Sequence, residues 1–411
     1  MHTNIHQVFA KSSALDDAKD ILSKCVHCGF CTATCPTYQV LKDERDGPRG
    51  RIYLIKQFLE TGTITAKSRV HLDRCLTCRS CETTCPSGVK YGRLIDIAKE
   101  LSEEHLPRPK VDKFKRWALA RVLPNARLFG TLLELGRIAK PVLPAPLKAK
   151  IPAKRVASPW PSNSHSRVMI SLAGCAQSVT APNTNAATAR VLDKLAITLI
   201  EAPKAGCCGA VNYHLSESEK GLNAMRANID AWWPAIEAGA EAIVMTASGC
   251  GAMVQDYGQL LADDENYREK AKRVSEMCKD LSQVLLAEDL STLVQAKDGQ
   301  TGKSSGKVAF HCPCTLQHAM GQSGSVEQVL TQLGVDLGRT KDKHLCCGSA
   351  GTYSILQPEL SKTLLNNKVK ALSVDNPVRI VTANIGCQLH LESAAKVSVD
   401  HWIELVDEMI H

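Results

Sequence analysis

Residues 25–36 read CVHCGFCTATCP, and residues 75–86 read CLTCRSCETTCP. Both place four cysteines at the spacing C-x2-C-x2-C-x3-C and follow the last with proline. Thiolates two residues apart can wrap one face of a cubane [4Fe–4S] cluster, and this run is the bacterial pattern for such ligation. The small or polar residues between them, among them Gly29, Ser80 and Thr83, let backbone N–H groups approach the cluster sulfurs. In this pattern the proline turns the fourth cysteine away from its three neighbours, and it ligates the other cluster. The spacing therefore predicts one cluster on Cys25, Cys28, Cys31 and Cys85, and a second on Cys75, Cys78, Cys81 and Cys35. Structural zinc sites usually show two separated C-x2-C knuckles instead. With every iron held by protein thiolate, neither cluster leaves a position for a substrate. Such a pair is an electron relay, and no catalytic residue is assigned to this chain.

The flanks of both motifs carry helical spacing. Ser13 or Asp16 is placed to cap a helix through Leu22, apolar at Ala14, Ala18, Ile21 and Leu22. Pro48 and Gly50 precede RIYLIKQFLE, and GRLIDIAKELSEEH follows the second motif. The 39 residues between Cys35 and Cys75 leave room for a helical insert. Residues 1–105 are thus expected to form a helical two-cluster ferredoxin domain.

A chain of 411 residues exceeds one compact core, so two or three domains are expected. No apolar run reaches the roughly 18 residues of a membrane-spanning helix. The opening residues lack the apolar segment of a secretory signal. A cytoplasmic location follows, and there 18 cysteines point to metal or redox chemistry rather than disulfides. Residues 106–165 form a basic, proline-rich linker, whose stretches FKRWALARVL and RLFGTLLELGRIAK are amphipathic at helical spacing. Such helices suit the anionic inner face of a cytoplasmic membrane, or they pack on their own domains. A net charge of +8, few aromatics among the basic residues and no recognition motif argue against nucleic acid.

From Arg167 the chain repeats. One copy (166–300) has Cys175, the pair Cys207 and Cys208, and Cys250; the other (301–411) has Cys314, Cys346 and Cys347, and Cys387. A shift of 139 superposes the first three of each set, and a shift of 137 the last. The runs VMISLA, AIVMTA, KVAF and VRIVTA precede helical stretches, predicting a small parallel α/β sheet in each copy with cysteines at strand ends. Loops at those ends converge, so each copy is a candidate second-tier metal site. Cys278 and Cys312 lack counterparts and read as core residues.

The stretches CVHCGFCTATCPTYQ (25–39), DERDGPRGRIYLIKQ (43–57) and HLDRCLTCRSCETTCPSGVKY (71–91), with the two CCG repeats, resemble the iron–sulfur subunits of bacterial glycolate oxidase. Iron–sulfur subunits of lactate and anaerobic glycerol-3-phosphate dehydrogenases, and of heterodisulfide reductase, share these modules. The resemblance spans nearly the whole chain. It implies an α/β multidomain fold and a non-substrate-binding subunit that takes electrons singly from FAD on partner subunits. Two [4Fe–4S] clusters would pass them to a membrane quinone. No G-x-G-x-x-G follows a strand here, as a flavin on this chain would suggest. In heterodisulfide reductase relatives each repeat ends in C-x-x-C. Here Met253 and His390 stand in those final places, so a further cluster is a candidate only in the second repeat, with His390 a conceivable ligand. The other function class consistent with the residues is a non-enzymatic iron–sulfur redox or assembly protein.

Overall fold

The computed structural model describes residues 1–9, 12–144, 148, 151–295 and 306–410. The expected border between the repeats at 300/301 lies outside the described residues, as does part of the linker. The first hundred residues are helical: Ser13–Lys24, Pro48–Thr61, Ala66–Asp73 and Tyr91–His105 are the principal helices. Their apolar faces meet in a core of Leu22, Ile55, Leu59, Leu94 and Ile95, which Cys75 and Cys81 join. The first helix begins at Ser13 with Ser12 in the cap position and no side-chain cap bond. The Ser13 hydroxyl, expected to cap, is instead hydrogen-bonded to the Asp263 carboxylate of a later domain.

Pro48 starts its helix at a position where the missing N–H costs nothing. Gly50 is required two residues later, because a Cβ there would fall 2.1 Å from the Glu44 carbonyl oxygen. That close approach lets the 3-10 turn Glu44–Asp46 fold over the helix and bury the Asp46 carboxylate. Arg74 lies 3.0 Å from Asp46, His71 3.1 Å and fully buried Arg51 3.5 Å. Arg51 also donates to the His71 carbonyl at 2.6 Å and the Thr37 hydroxyl at 3.1 Å. The DGPRGR stretch therefore ties the long insert to the backbone beside both cysteine loops.

The linker continues as two helices, Lys110–Val122 and Ala126–Ala139. Two parallel sheets follow. The first has strands β1 (Arg167–Ser171), β2 (Ile197–Glu201), β3 (Ile243–Met245) and β4 (Cys278–Asp280), in the order β2-β1-β3-β4. The second has β5 (Val308–His311), β6 (Arg379–Thr382) and β7 (Ser398–His401), in that order. Every strand pair is parallel, so helices cover the sheet faces and the strands are short apolar runs. In register terms β5 and β6 repeat β1 and β3: Ile170 opposes Ile243, and Ala309 opposes Ile380.

The two sheets share one apolar core, in which Val191 and Leu192 of the first module pack with Val329, Leu330, Trp402 and Val406 of the second. At the seam, the Ser248 N–H donates to the Ala383 carbonyl at 3.0 Å. His401 donates from Nε2 to the Thr246 carbonyl at 2.7 Å and accepts at Nδ1 from the Ile403 N–H at 3.2 Å. Those two bonds require the neutral Nε2–H tautomer.

Candidate metal centres

The eight N-terminal cysteines line two adjoining cavities. Cys25, Cys28, Cys31 and Cys85 border one of about 430 Å³, open to solvent on one side. Cys35, Cys75, Cys78 and Cys81 border a second of about 350 Å³. Pro48, Cys81 and Tyr91 line both and form the wall between them. The Tyr91 hydroxyl is buried and donates to the Cys75 sulfur at 3.7 Å.

The loops are shaped alike. His27 and Gly29 in the first, and Thr77 and Arg79 in the second, all have φ between 51° and 86°. Glycine adopts this region freely, whereas a β-branched residue such as Thr77 rarely does. Strain repeated at the same two places in both loops turns successive N–H groups inward, the arrangement that cradles an anionic group. Thr77 N–H donates to the Cys75 sulfur at 3.4 Å, and backbone N–H groups of Arg49 and Ser80 reach the sulfurs of Cys31 and Cys78.

Burial pushes the Cys31 thiol up to about 11 and holds Cys78 and Cys81 well above the ordinary range. Without a cation these sulfurs stay protonated; bound iron is what makes thiolates of them. Thiols enough for four ligands at each cavity, inward N–H donors and an apolar surround fit a cubane cluster in each place. The second cavity is the more enclosed: Cys35, Cys75 and Cys81 are buried, whereas Cys28 at the first is exposed. Arg51, a permanent cation with no exposure, stands against the second.

In the first cysteine-rich module the four sulfurs form a chain of contacts. Cys207 is drawn down to about 3 because Cys175 and Cys208 both donate to it, and Cys208 also meets Cys250. Met253 lies in the apolar core. In the second module Cys314 donates to Cys346 at 3.8 Å, Cys346 meets Cys347, and Cys347 meets Cys387. His390 points its Nε2 at the Ser361 hydroxyl, 3.1 Å away. Cys278 and Cys312 are buried core residues. Motif reading passed over His311, which joins Cys347 and Cys387 in a group whose ligand atoms all lie within 4.8 Å of one another. It also passed over Lys368, buried beside the same sulfurs. Neither belongs to a repeated cysteine pattern, and β5 and a distant helix bring them in.

The second module stands against the second cavity. Leu76, Cys78, Cys314, Cys346 and Tyr353 share an apolar cluster, the Tyr353 hydroxyl donates to the Arg74 carbonyl at 3.2 Å, and Thr83 lies 3.0 Å from His318. The first module meets the helical domain through polar pairs: Arg79 with Asp256, Arg93 with the Tyr213 hydroxyl at 2.8 Å, and Asp96 with His214 at 3.2 Å.

Residues 21–89 match the family model of the 4Fe-4S dicluster domain, and residues 170–255 and 308–392 match that of the cysteine-rich CCG domain. The sequence is 54% identical over 411 residues to the glycolate oxidase iron-sulfur subunit of Escherichia coli strain K12, covering 100% of this chain and 99% of that protein. It is 30% identical over 401 residues to the probable glycolate oxidase iron-sulfur subunit of Bacillus subtilis strain 168, covering 90% and 88%. Lactate utilization protein A of Shouchella clausii is 22% identical over 222 residues, covering 53% of this chain and 87% of that protein. By its full-length likeness and its three cysteine-rich segments, the chain belongs to the family of glycolate oxidase iron–sulfur subunits.

Proposed function

We propose that this chain is the electron-transfer subunit of a flavin-dependent glycolate dehydrogenase, with FAD on partner subunits and a membrane quinone as the acceptor. The observation that carries this reading is the gathering of eight cysteines around two adjoining cavities, five at the first and four at the second, with Cys81 in the wall they share. The proposed ligand sets are Cys25, Cys28, Cys31 and Cys85 for one cluster and Cys75, Cys78, Cys81 and Cys35 for the other. When bound, each cluster supplies a one-electron carrier. The chain's own residues set the surroundings. The exposed Cys28 side faces a donor subunit, the Tyr91 wall keeps water from between the two centres, and Arg51 favours the more reduced state of the inner one. The division into 1–105, 106–165, 166–300 and 301–411 is part of the same reading.

A peripheral place on the inner face of the cytoplasmic membrane is supported by the linker helices. Phe114 and Trp117 are exposed with rings stacked at 5.7 Å, and Leu132, Leu135 and Ile138 are exposed on the next helix. No helix among the described residues is long and apolar enough to cross a membrane. Arg108 and Arg116 are tied to Asp73 and Asp112. Lys110, Lys113, Lys115 and Arg121 have no ion pair among the described residues, which leaves them for anionic headgroups.

Anaerobically purified protein should carry about eight iron and eight sulfide; zinc without sulfide would sink the relay. The crossed ligation is tested by paramagnetic resonance. Cys35→Ser should lose the same signal as Cys78→Ser, and Cys85→Ser the same as Cys28→Ser. If Cys35→Ser pairs with Cys28→Ser, each loop builds its own cluster. Assay of the purified complex with glycolate, both lactates and glycerol 3-phosphate separates the fuels.

A further inference from the structure

We infer that the second cysteine-rich module holds a single borderline transition-metal ion of the zinc class, ligated by His311 together with Cys347 and Cys387. The three ligand atoms lie within 4.8 Å of one another. Two donors bonded to one zinc ion at 2.0–2.3 Å are at most about 4.6 Å apart, and about 3.8 Å at the tetrahedral angle. The set is therefore nearly closed around one ion. It is too tight for a four-iron cube, whose ligands bind different metal atoms.

His311 ends β5, is 1% exposed, and its Nε2 is buried with no hydrogen-bond partner among the described residues. A buried imidazole nitrogen without a partner is destabilising, and a metal bond relieves it. Cys347 and Cys387 are buried likewise. Imidazole and thiolate are the donors that zinc-class ions take. Binding exchanges the two thiol protons for the ion, with the imidazole staying neutral. Lys368 makes its one described hydrogen bond to the Asp342 carbonyl at 2.8 Å, and its charge acts on Cys346, Cys347 and Cys314. The repeat supplies an internal control: the shift of 139 that superposes the cysteine pairs puts Leu172 in the first module where His311 stands in the second.

The test uses the full-length chain, purified anaerobically, with iron, sulfide and zinc measured together. Wild type should hold about one zinc per chain beyond the iron of the cubane clusters. X-ray absorption at the zinc edge should give a mixed nitrogen and sulfur shell. His311→Gln and Cys387→Ser should each lower zinc occupancy tenfold or more after dialysis against a chelator, while iron content and cluster signals stay at wild-type levels. His390→Gln should keep the ion. The inference is overturned by a wild-type chain without zinc, by an all-sulfur shell, by full occupancy in His311→Gln, or by extra metal that arrives as four iron with four sulfide. Should either variant fail to fold, the wild-type absorption shell decides the matter. The N-terminal iron count is independent, so failure here and failure of the relay are told apart.

Discussion

The two cysteine-rich modules have the same strand register and the same cysteine places, and they differ in what is buried around the sulfurs. The first has Leu172 just past the end of β1, and its helix behind the cysteine pair buries Asn228, which accepts from the Gly206 N–H and donates to the Cys207 carbonyl. The second ends β5 with His311 and buries Lys368 in the corresponding helix. In the first, the buried polar side chain holds the loop, and the thiols meet one another and backbone N–H groups. In the second, a nitrogen donor and a cation face the thiols. Their settings differ too: the second leans on Cys78 through apolar contacts, the first grips the helical domain by ion pairs. A duplicated backbone thus surrounds its thiols with a loop-holding amide in one copy and with an imidazole and a lysine in the other, and the buried side chains make the difference.

The sharpest test of that contrast is the cores. Trp402 lies in the core shared by both modules, whereas Trp232 lies in one local to the first. Either change to Ala should cost about 3–5 kcal/mol. Hydrogen exchange should show Trp402→Ala loosening both modules and Trp232→Ala only the first; identical patterns would mean that the modules do not unfold as described.

Acid comes next, and it should act on the two modules in opposite senses. Burial holds the His401 imidazole down at about 4, against an ordinary 6.5. Its contribution is full above pH 6.5 and is lost as pH falls through 4. Burial pushes the Asp280 carboxyl up to about 6, against an ordinary 3.8. Its contribution is full below pH 3.8 and is lost as pH rises through 6. Each is worth on the order of 3 kcal/mol by linkage. On going from pH 7 to pH 4, the stability of wild type relative to His401→Gln should fall, and relative to Asp280→Asn it should rise. Denaturant titrations at both pH values check this, and parallel curves would refute both assignments.

Smaller still is the pair of helix substitutions. Asn228→Leu strands a buried N–H and a carbonyl and should cost about 3 kcal/mol, whereas Lys368→Met frees one carbonyl and should cost about 1 kcal/mol. If Lys368→Met were the costlier of the two, its ammonium would be a structural bond and not a partner for thiolates. At the bottom of the scale, Arg339→Ala removes an exposed guanidinium from Asp375, whose carboxylate keeps Lys307 and the backbone N–H of residue 339. It should leave the unfolding midpoint unchanged.

Much of this was legible in the chain because it was written at short range. Eight cysteines at fixed intervals, helices over 51–60 and 92–105, and four apolar runs ahead of helical stretches all depend on neighbours in sequence. β2, β4 and β7 escaped notice because their runs are brief and mixed, and only pairing makes strands of them. Part of the linker's positive charge is paired in a way no local pattern marks, since Arg108 and Arg116 both meet Asp73, which precedes the linker. His311, Lys368 and Arg51 are ordinary residues whose importance comes from what folds against them, and no local pattern marks them.

The wall of Pro48, Cys81 and Tyr91 between the two N-terminal cavities has a consequence for how the protein matures. Neither cavity has a complete lining until the other's loop is in place. Loading one therefore raises the readiness of the other, and half-filled chains should be scarce at every stage of assembly. An oxidant that enters by the exposed Cys28 side and displaces the loop around the outer cavity also disturbs Cys81 and Tyr91 in the lining of the inner one. Titrating iron and sulfide into the apo-chain should then fill the two cavities together, and a first cavity filled alone would refute the shared lining.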